Sequence, residues 1–102
     1  MKNLSKEDWK DLISSDPNAI LLDVRTPKEC AEGIQPNAVQ LDFLDNGKFT
    51  NGITELDKDK NYYVYCRSGN RSGQACNAMK AKGFITFNLI GGMLQWDGEI
   101  VK

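Results

Sequence analysis

Four short runs of strand character limit what this chain can fold into. AILLDVR (residues 19–25), AVQLDF (38–43), YYVYC (62–66) and FITFNLI (84–90) are built largely from aliphatic, β-branched and aromatic residues. Segments with helix starts and stops lie between them. AILLDVR is a continuous apolar run of strand length, the pattern of a strand covered on both faces. Strands that alternate with helices over short connections form a parallel sheet. The expected class is therefore α/β, a central parallel sheet flanked by helices on both faces. At 102 residues the chain has room for one such unit with one core, so residues 1–102 read as a single domain.

The intervening segments fit that alternation. Ser5 is placed to cap a first helix, with Asp8 three residues on and Leu4 and Trp9 at the positions of a hydrophobic staple. Trp9, Leu12 and Ile13 give this helix one apolar face, and Asp16-Pro17-Asn18 ends it. Thr26-Pro27-Lys28-Glu29 is a second helix start, with a cap, a proline in the first turn and a glutamate at the third position; Gly33 stops it. FTNGITEL reads as a loose helix or loop and DKDKN as a turn. Ser72 to Lys82 reads as a helix with Ala75, Cys76 and Met79 inward, ended by Gly83. GGMLQW is a short closing helix and EIVK a tail.

In open parallel sheets, ligands bind beyond the carboxyl ends of the strands. Two polar segments fall there: Asp23 to Arg25, and the loop that begins at Cys66. The stretch VYCRSGNRSGQ, residues 64–74, leaves Arg67 to Arg71 to turn the chain tightly between strand and helix. Gly69 permits a positive φ in that turn. Successive N–H groups there can converge on one centre and bind an anion, helped by the start of the following helix. A cysteine thiol ionises near 8.5 when free and at roughly 3.5 to 7.5 in such surroundings. Most free cysteines are small buried hydrophobes, and Cys30 and Cys76 read that way, with any redox role for either left open by the sequence. For Cys66, the arginines, the glycine and the helix start favour a reactive thiolate.

Composition narrows the chemistry. The chain contains no histidine, which removes Cys-His and Ser-His-Asp arrangements; a nucleophile here must be activated by electrostatics. Three cysteines without metal-ligand spacing argue against a disulfide scaffold or a zinc site, and no metal or organic cofactor is implied. Thirteen basic and fourteen acidic residues nearly cancel, which argues against nucleic-acid or membrane binding. From Lys60 to Trp96 there are five basic residues and no acid. Lys80 and Lys82 read as solvated, whereas Arg67 and Arg71 would give Cys66 a local positive field. The N-terminus has no apolar run long enough for a signal peptide or a membrane span, so a cytoplasmic location is the default expectation.

At LLDVRTPKECAEG, followed by YCRSGNRS and GGMLQW, the sequence resembles the single-domain rhodanese family of sulfurtransferases, from about Ile20 to Trp96. Three separated motifs in the right order make the resemblance specific. It implies that Cys66 takes a sulfane sulfur from a small anionic donor such as thiosulfate, holds it as a persulfide, and passes it to a thiophilic acceptor such as cyanide, a thiol or a protein. The family's active-site loop falls on Cys66, Arg67, Ser68, Gly69, Asn70 and Arg71. The backbone amides of Arg67 to Ser72 would cradle the sulfur and Arg67 would meet the donor. Arg71 would combine a loop-holding role with positive potential, and Asp23 and Arg25 would brace the neighbouring strand end. Two departures lie outside the loop: Gly33-Ile34-Gln35-Pro36-Asn37-Ala38 stands where the family commonly has Gly-His-Ile-Pro-Gly-Ala, and Cys30 replaces a usual aromatic.

Two alternatives stay open at this point. A cysteine-dependent phosphatase or arsenate reductase needs five residues between cysteine and the clamping arginine. Here four separate Cys66 from Arg71, and Ser72 occupies the required position. The other is a persulfide carrier or protein-binding module on the same fold, with little turnover of small molecules.

Overall fold

A computed structural model describes all residues, 1–102. In chain order the elements are β1 (Lys2–Leu4), α1 (Lys6–Ser15), β2 (Ala19–Asp23), α2 (Pro27–Cys30), β3 (Val39–Gln40), α3 (Asn46–Thr54), β4 (Asn61–Tyr65), α4 (Asn70–Ala81), β5 (Ile85–Leu89) and a closing 3-10 turn, Gly92–Leu94. The five strands form one sheet in the order β1-β5-β4-β2-β3. Every neighbouring pair is parallel, as the alternation of strands and helices predicts.

Several details differ from the sequence reading. β1 was not expected: three residues carry no periodic signal, and the strand exists because it pairs with β5. AVQLDF shrinks to the two residues of β3, although Leu41 and Phe43 still donate backbone hydrogen bonds to Asp23 and Val24. FTNGITEL contributes to a regular helix, α3, capped by Asp45, whose carboxylate accepts from the Lys48 amide. α4 begins at Asn70, two residues before the expected start. The tail is tied down, because Val101 and Ile34 exchange two backbone hydrogen bonds of 2.8 Å.

The sheet separates two apolar layers. On one face Leu22, Val24, Tyr62, Val64 and Cys66 pack with Phe49 and Ile53 of α3 and with Ala75, Cys76 and Met79 of α4. On the other, Leu4, Tyr63, Tyr65 and Leu89 pack around Trp9 of α1. Trp9 meets Tyr63 edge-on at 5.5 Å and Tyr65 at 6.2 Å, a favoured geometry for aromatic quadrupoles. Of the apolar face expected on α1, Trp9 is buried and Ile13 half-buried, whereas Leu12 is exposed. Ser5 caps this helix by accepting from the Asp8 amide at 3.2 Å.

Strand order also locates the site. From β2 the chain moves to β3 on one side, and from β4 it moves to β5 on the other. The connections that leave these adjacent strands therefore diverge, opening a crevice at their carboxyl ends. Asp23 pairs in register with Tyr65, so the segment after Asp23 and the loop that starts at Cys66 face each other across it.

Candidate active site

Cys66 follows a strand whose last four residues are buried, and is itself fully buried. Gly69 adopts φ +98°, and its N–H donates to Cys66 Sγ at 3.1 Å. The Ser72 hydroxyl oxygen lies 3.4 Å from the sulfur. Burial pushes the thiol's pKa up, but hydrogen bonding from Ser72, side chain and amide, and from the amides of Gly69 and Ser68 outweighs it, so the net shift is downward. Burial pushes Cys30 and Cys76 up to about 11 instead. One cysteine of three is therefore prepared to carry negative charge, and it relies on neutral donors.

The closing turn holds the rear of this loop. The Met93 amide donates to the carbonyl of Cys66 at 3.0 Å, and the Leu94 amide to that of Arg67 at 2.9 Å. Such close approach needs a glycine at position 92: a Cβ there would lie 2.5 Å from Cys66 O and 2.6 Å from Arg67 O, at φ +53°. Gly91 and Gly92, at the start of the segment read from sequence as a short closing helix, thus form the wall against which the loop rests.

The charged residues divide by role. Arg25 donates from Nε and Nη2 to the Asp23 carboxylate, at 2.8 Å for the closest contact, and from Nη2 to the carbonyl of Gly33 at 2.6 Å. Asp23 also accepts from the Arg25 amide at 3.0 Å. Both side chains are buried, and this closed pair fastens the turn after β2. Arg71 is forked onto Glu29 of α2, with contacts of 2.7 and 2.8 Å. Glu29 completes the expected capping box with Thr26 as well. Arg67 and Ser68 are exposed, and Asn70 accepts from Gln74 Nε2 at 3.0 Å. The loop thus brings Cys66, Gly69 and Ser72 together, turns Arg67 outward and ties Arg71 to α2.

Two participants were missed in the sequence. Glu29 was visible only as a helix cap. Asn88 of β5 touches both Ser72 and the carbonyl of Gly69; its one signal was an asparagine inside a strand, where that residue is disfavoured. A cavity of about 520 Å³ between α1, β2 and the Gln35–Val39 segment is lined by Trp9, Ile13, Leu21 and Trp96, among others, and does not include Cys66. No cysteine lines it, and the one thiol with a lowered pKa lies at the strand ends instead. What that arrangement can do is hold a sulfur anion, on Cys66 or bonded to it, without a general base.

The Rhodanese-like domain family model matches residues 5–99. Among curated proteins, the chain is 40% identical to "Putative sulfurtransferase YtwF" of Bacillus subtilis, over 97% of this chain and 93% of that protein. It is 33% identical to a protein of Allochromatium vinosum named "Sulfurtransferase", over 94% and 88% of the two chains. Among solved structures, the rhodanese-like domain protein from Staphylococcus aureus superposes with a TM-score of 0.85 at 28% identity, covering 97% of this chain and 94% of that one.

Proposed function

The chain belongs to the rhodanese-like domain family, and from that premise we propose that it is a sulfurtransferase whose residues 1–102 act as one unit, with Cys66 carrying the sulfur in transit. Relatives named as sulfurtransferases support sulfur transfer in general. The observation that carries the finer reading is the sulfur of Cys66, buried at a strand end with the Gly69 amide 3.1 Å away and no histidine in the chain.

The donor is a small anion with a sulfane sulfur, such as thiosulfate. The Cys66 thiolate attacks the outer sulfur; the new S–S bond forms as the old one breaks, and sulfite leaves with the bonding pair. The product is a cysteine persulfide carrying one negative charge. An acceptor such as cyanide or a thiolate then attacks the terminal sulfur, leaving as thiocyanate or a new persulfide and returning Cys66 as thiolate. The amides from Arg67 to Ser72 are the donors for both anionic forms. Arg67, exposed at the start of the loop, meets the incoming anion, and Arg71 holds the loop through Glu29. Asp23 and Arg25 fix the opposite wall. No metal or organic cofactor enters this scheme. Three unpaired cysteines suit a reducing compartment such as the cytoplasm, and no helix is long and apolar enough to cross a membrane.

The test is the intact mass of reduced protein after incubation with thiosulfate, beside a Cys66→Ser control. The expected result is the gain of one sulfur atom, removed by cyanide and absent from the control. No gain with thiosulfate refutes that donor; no gain with inorganic polysulfide as well refutes the persulfide.

A further inference from the structure

Ser72 Oγ stands between two acceptors. It is 3.4 Å from Cys66 Sγ and 2.5 Å from Asn88 Oδ1, and both Ser72 and Asn88 are buried. The orientation of the Asn88 amide is not free. Its Nδ2 lies 3.2 Å from the carbonyl of Gly69 and 3.0 Å from Asn3 Oδ1, and a backbone carbonyl can only accept. Asn88 Oδ1 must therefore face Ser72, and an amide oxygen cannot supply a proton. Two oxygens at 2.5 Å require one between them. The sole proton available is the serine hydroxyl's, so it points at Asn88 and away from the sulfur.

We propose that Asn88 is a positioning residue for Cys66, holding the Ser72 proton in reserve and releasing it to the sulfur only when that sulfur is a free thiolate. The proposal rests on Cys66 as the reacting group. In the thiol, Cys66 S–H can donate to the serine oxygen while Ser72 donates to Asn88, and every partner is satisfied. In the thiolate the sulfur has no proton; Ser72 rotates its hydroxyl toward it, and Oγ withdraws from Asn88 Oδ1 as the proton between them leaves. In the persulfide the charge moves to the terminal sulfur and Sγ becomes a neutral divalent atom, so the proton returns to Asn88. Ser72 thereby stabilises Sγ only when it acts as nucleophile or as leaving group, the two moments at which charge sits there. The second bond of Asn88 keeps the Gly69 carbonyl in place, and with it the residue whose own N–H donates to the sulfur.

The other titratable groups that face Cys66 are Arg71, from the start of α4 and paired with Glu29 of α2, and Cys76, one turn along α4 from Ser72. Ser72 Oγ bonds to neither.

The test is the pH dependence of Cys66 alkylation by iodoacetamide, followed by mass spectrometry, in wild type, Asn88→Leu, Ser72→Ala and the double variant, with Asn88→Ala as the alternative substitution. This readout is independent of any sulfur donor, so its failure is distinct from failure of the transfer reaction. Removing Asn88 frees the Ser72 proton but also loosens Gly69; the loosening is common to both backgrounds, the proton only to the one that retains Ser72. The ratio of thiolate to thiol should therefore change by about threefold more in favour of thiolate when Asn88 is removed with Ser72 present than with Ser72→Ala. Equal effects in the two backgrounds would overturn the proposal and leave Asn88 a simple brace. A measurement that leaves Asn88 and Ser72 unsubstituted gives the same decision if those variants do not fold: the Asn88 side-chain amide resonances should titrate with the midpoint of Cys66 and lose that titration in Cys66→Ser. An Asn88 signal unresponsive to Cys66 ionisation would equally refute it.

Discussion

Glu29→Gln is the substitution that most directly measures what the fold adds to the loop. Glutamine keeps the oxygen that accepts from the amide and hydroxyl of Thr26, at 3.3 and 3.1 Å, so the helix cap survives while the charge facing Arg71 is lost. The Arg71 fork is the largest cause holding the Glu29 carboxyl at about 2 rather than 4.5, opposed by burial and assisted by Thr26. The fall from 4.5 to about 2, at about 1.36 kcal/mol per tenfold change in proton affinity, sets a ceiling of about 3.4 kcal/mol. The side chains of Arg71 and Glu29 retain 21% and 26% exposure, and screening together with the surviving Thr26 bonds reduces the charge term to about 1–2 kcal/mol. Because the folded carboxyl titrates below the unfolded one, this stability is fully present above about pH 4.5 and disappears as the pH falls toward 2. Urea unfolding of wild type and Glu29→Gln should differ by about 1–2 kcal/mol at pH 7 and by less than half of that at pH 3. A difference of the same size at both pH values, or none at pH 7, would refute the assignment of this stability to the ion pair.

Two further substitutions probe the packing around the site. Gly92→Ala places a methyl 2.5 Å from the Cys66 carbonyl, where backbone has to move, and should cost about 2–4 kcal/mol and slow sulfur loading. Gly91→Ala at φ +80° meets only the flexible Gln95 side chain and should cost about 1 kcal/mol; thermal melts that rank the two equally would contradict the wall assigned to Gly92. Gln35→Leu strands the buried Trp9 indole N–H, which now donates to Gln35 Oε1 at 3.0 Å, and should cost about 1–3 kcal/mol in urea unfolding. Gln35→Glu, which keeps an acceptor there, should cost less than the leucine in the same assay.

The alternation of elements and the conformation of the loop were legible because both are written in contiguous residues. Gly69 permits the left-handed turn its neighbours need, and the strand before it and the helix after it declare themselves locally. What was not legible comes from distant pairs. Glu29 lies 42 positions from Arg71, and its cap to Thr26 already explained its presence, so nothing asked for a second partner. Asn88 lies 16 positions from Ser72. β1 is too short to show a period and Leu4 fitted a staple, although it is the register of Asn3 with Asn88 that brings the Asn3 side chain to the site.

The charge pattern shows how such a pairing changes an argument. The acid-free run from Lys60 to Trp96 suggests that two arginines polarise Cys66 together. The fold supplies an acid from outside that run, and the Glu29 carboxylate neutralises Arg71. The sulfur anion is then held mainly by dipoles, namely the loop amides, the start of α4 and the Ser72 hydroxyl, none of which titrates near neutral pH or is displaced by salt. Arg67 is left as the arginine of the loop without an acidic partner, and it is exposed. In the proposed transfer, capture of an anionic donor and stabilisation of the sulfur would therefore be separate. The first, if Arg67 performs it as proposed, is a screened surface interaction that weakens with ionic strength. The second is set by the fixed geometry of the loop, and in the proposed scheme its amides remain as donors to the persulfide.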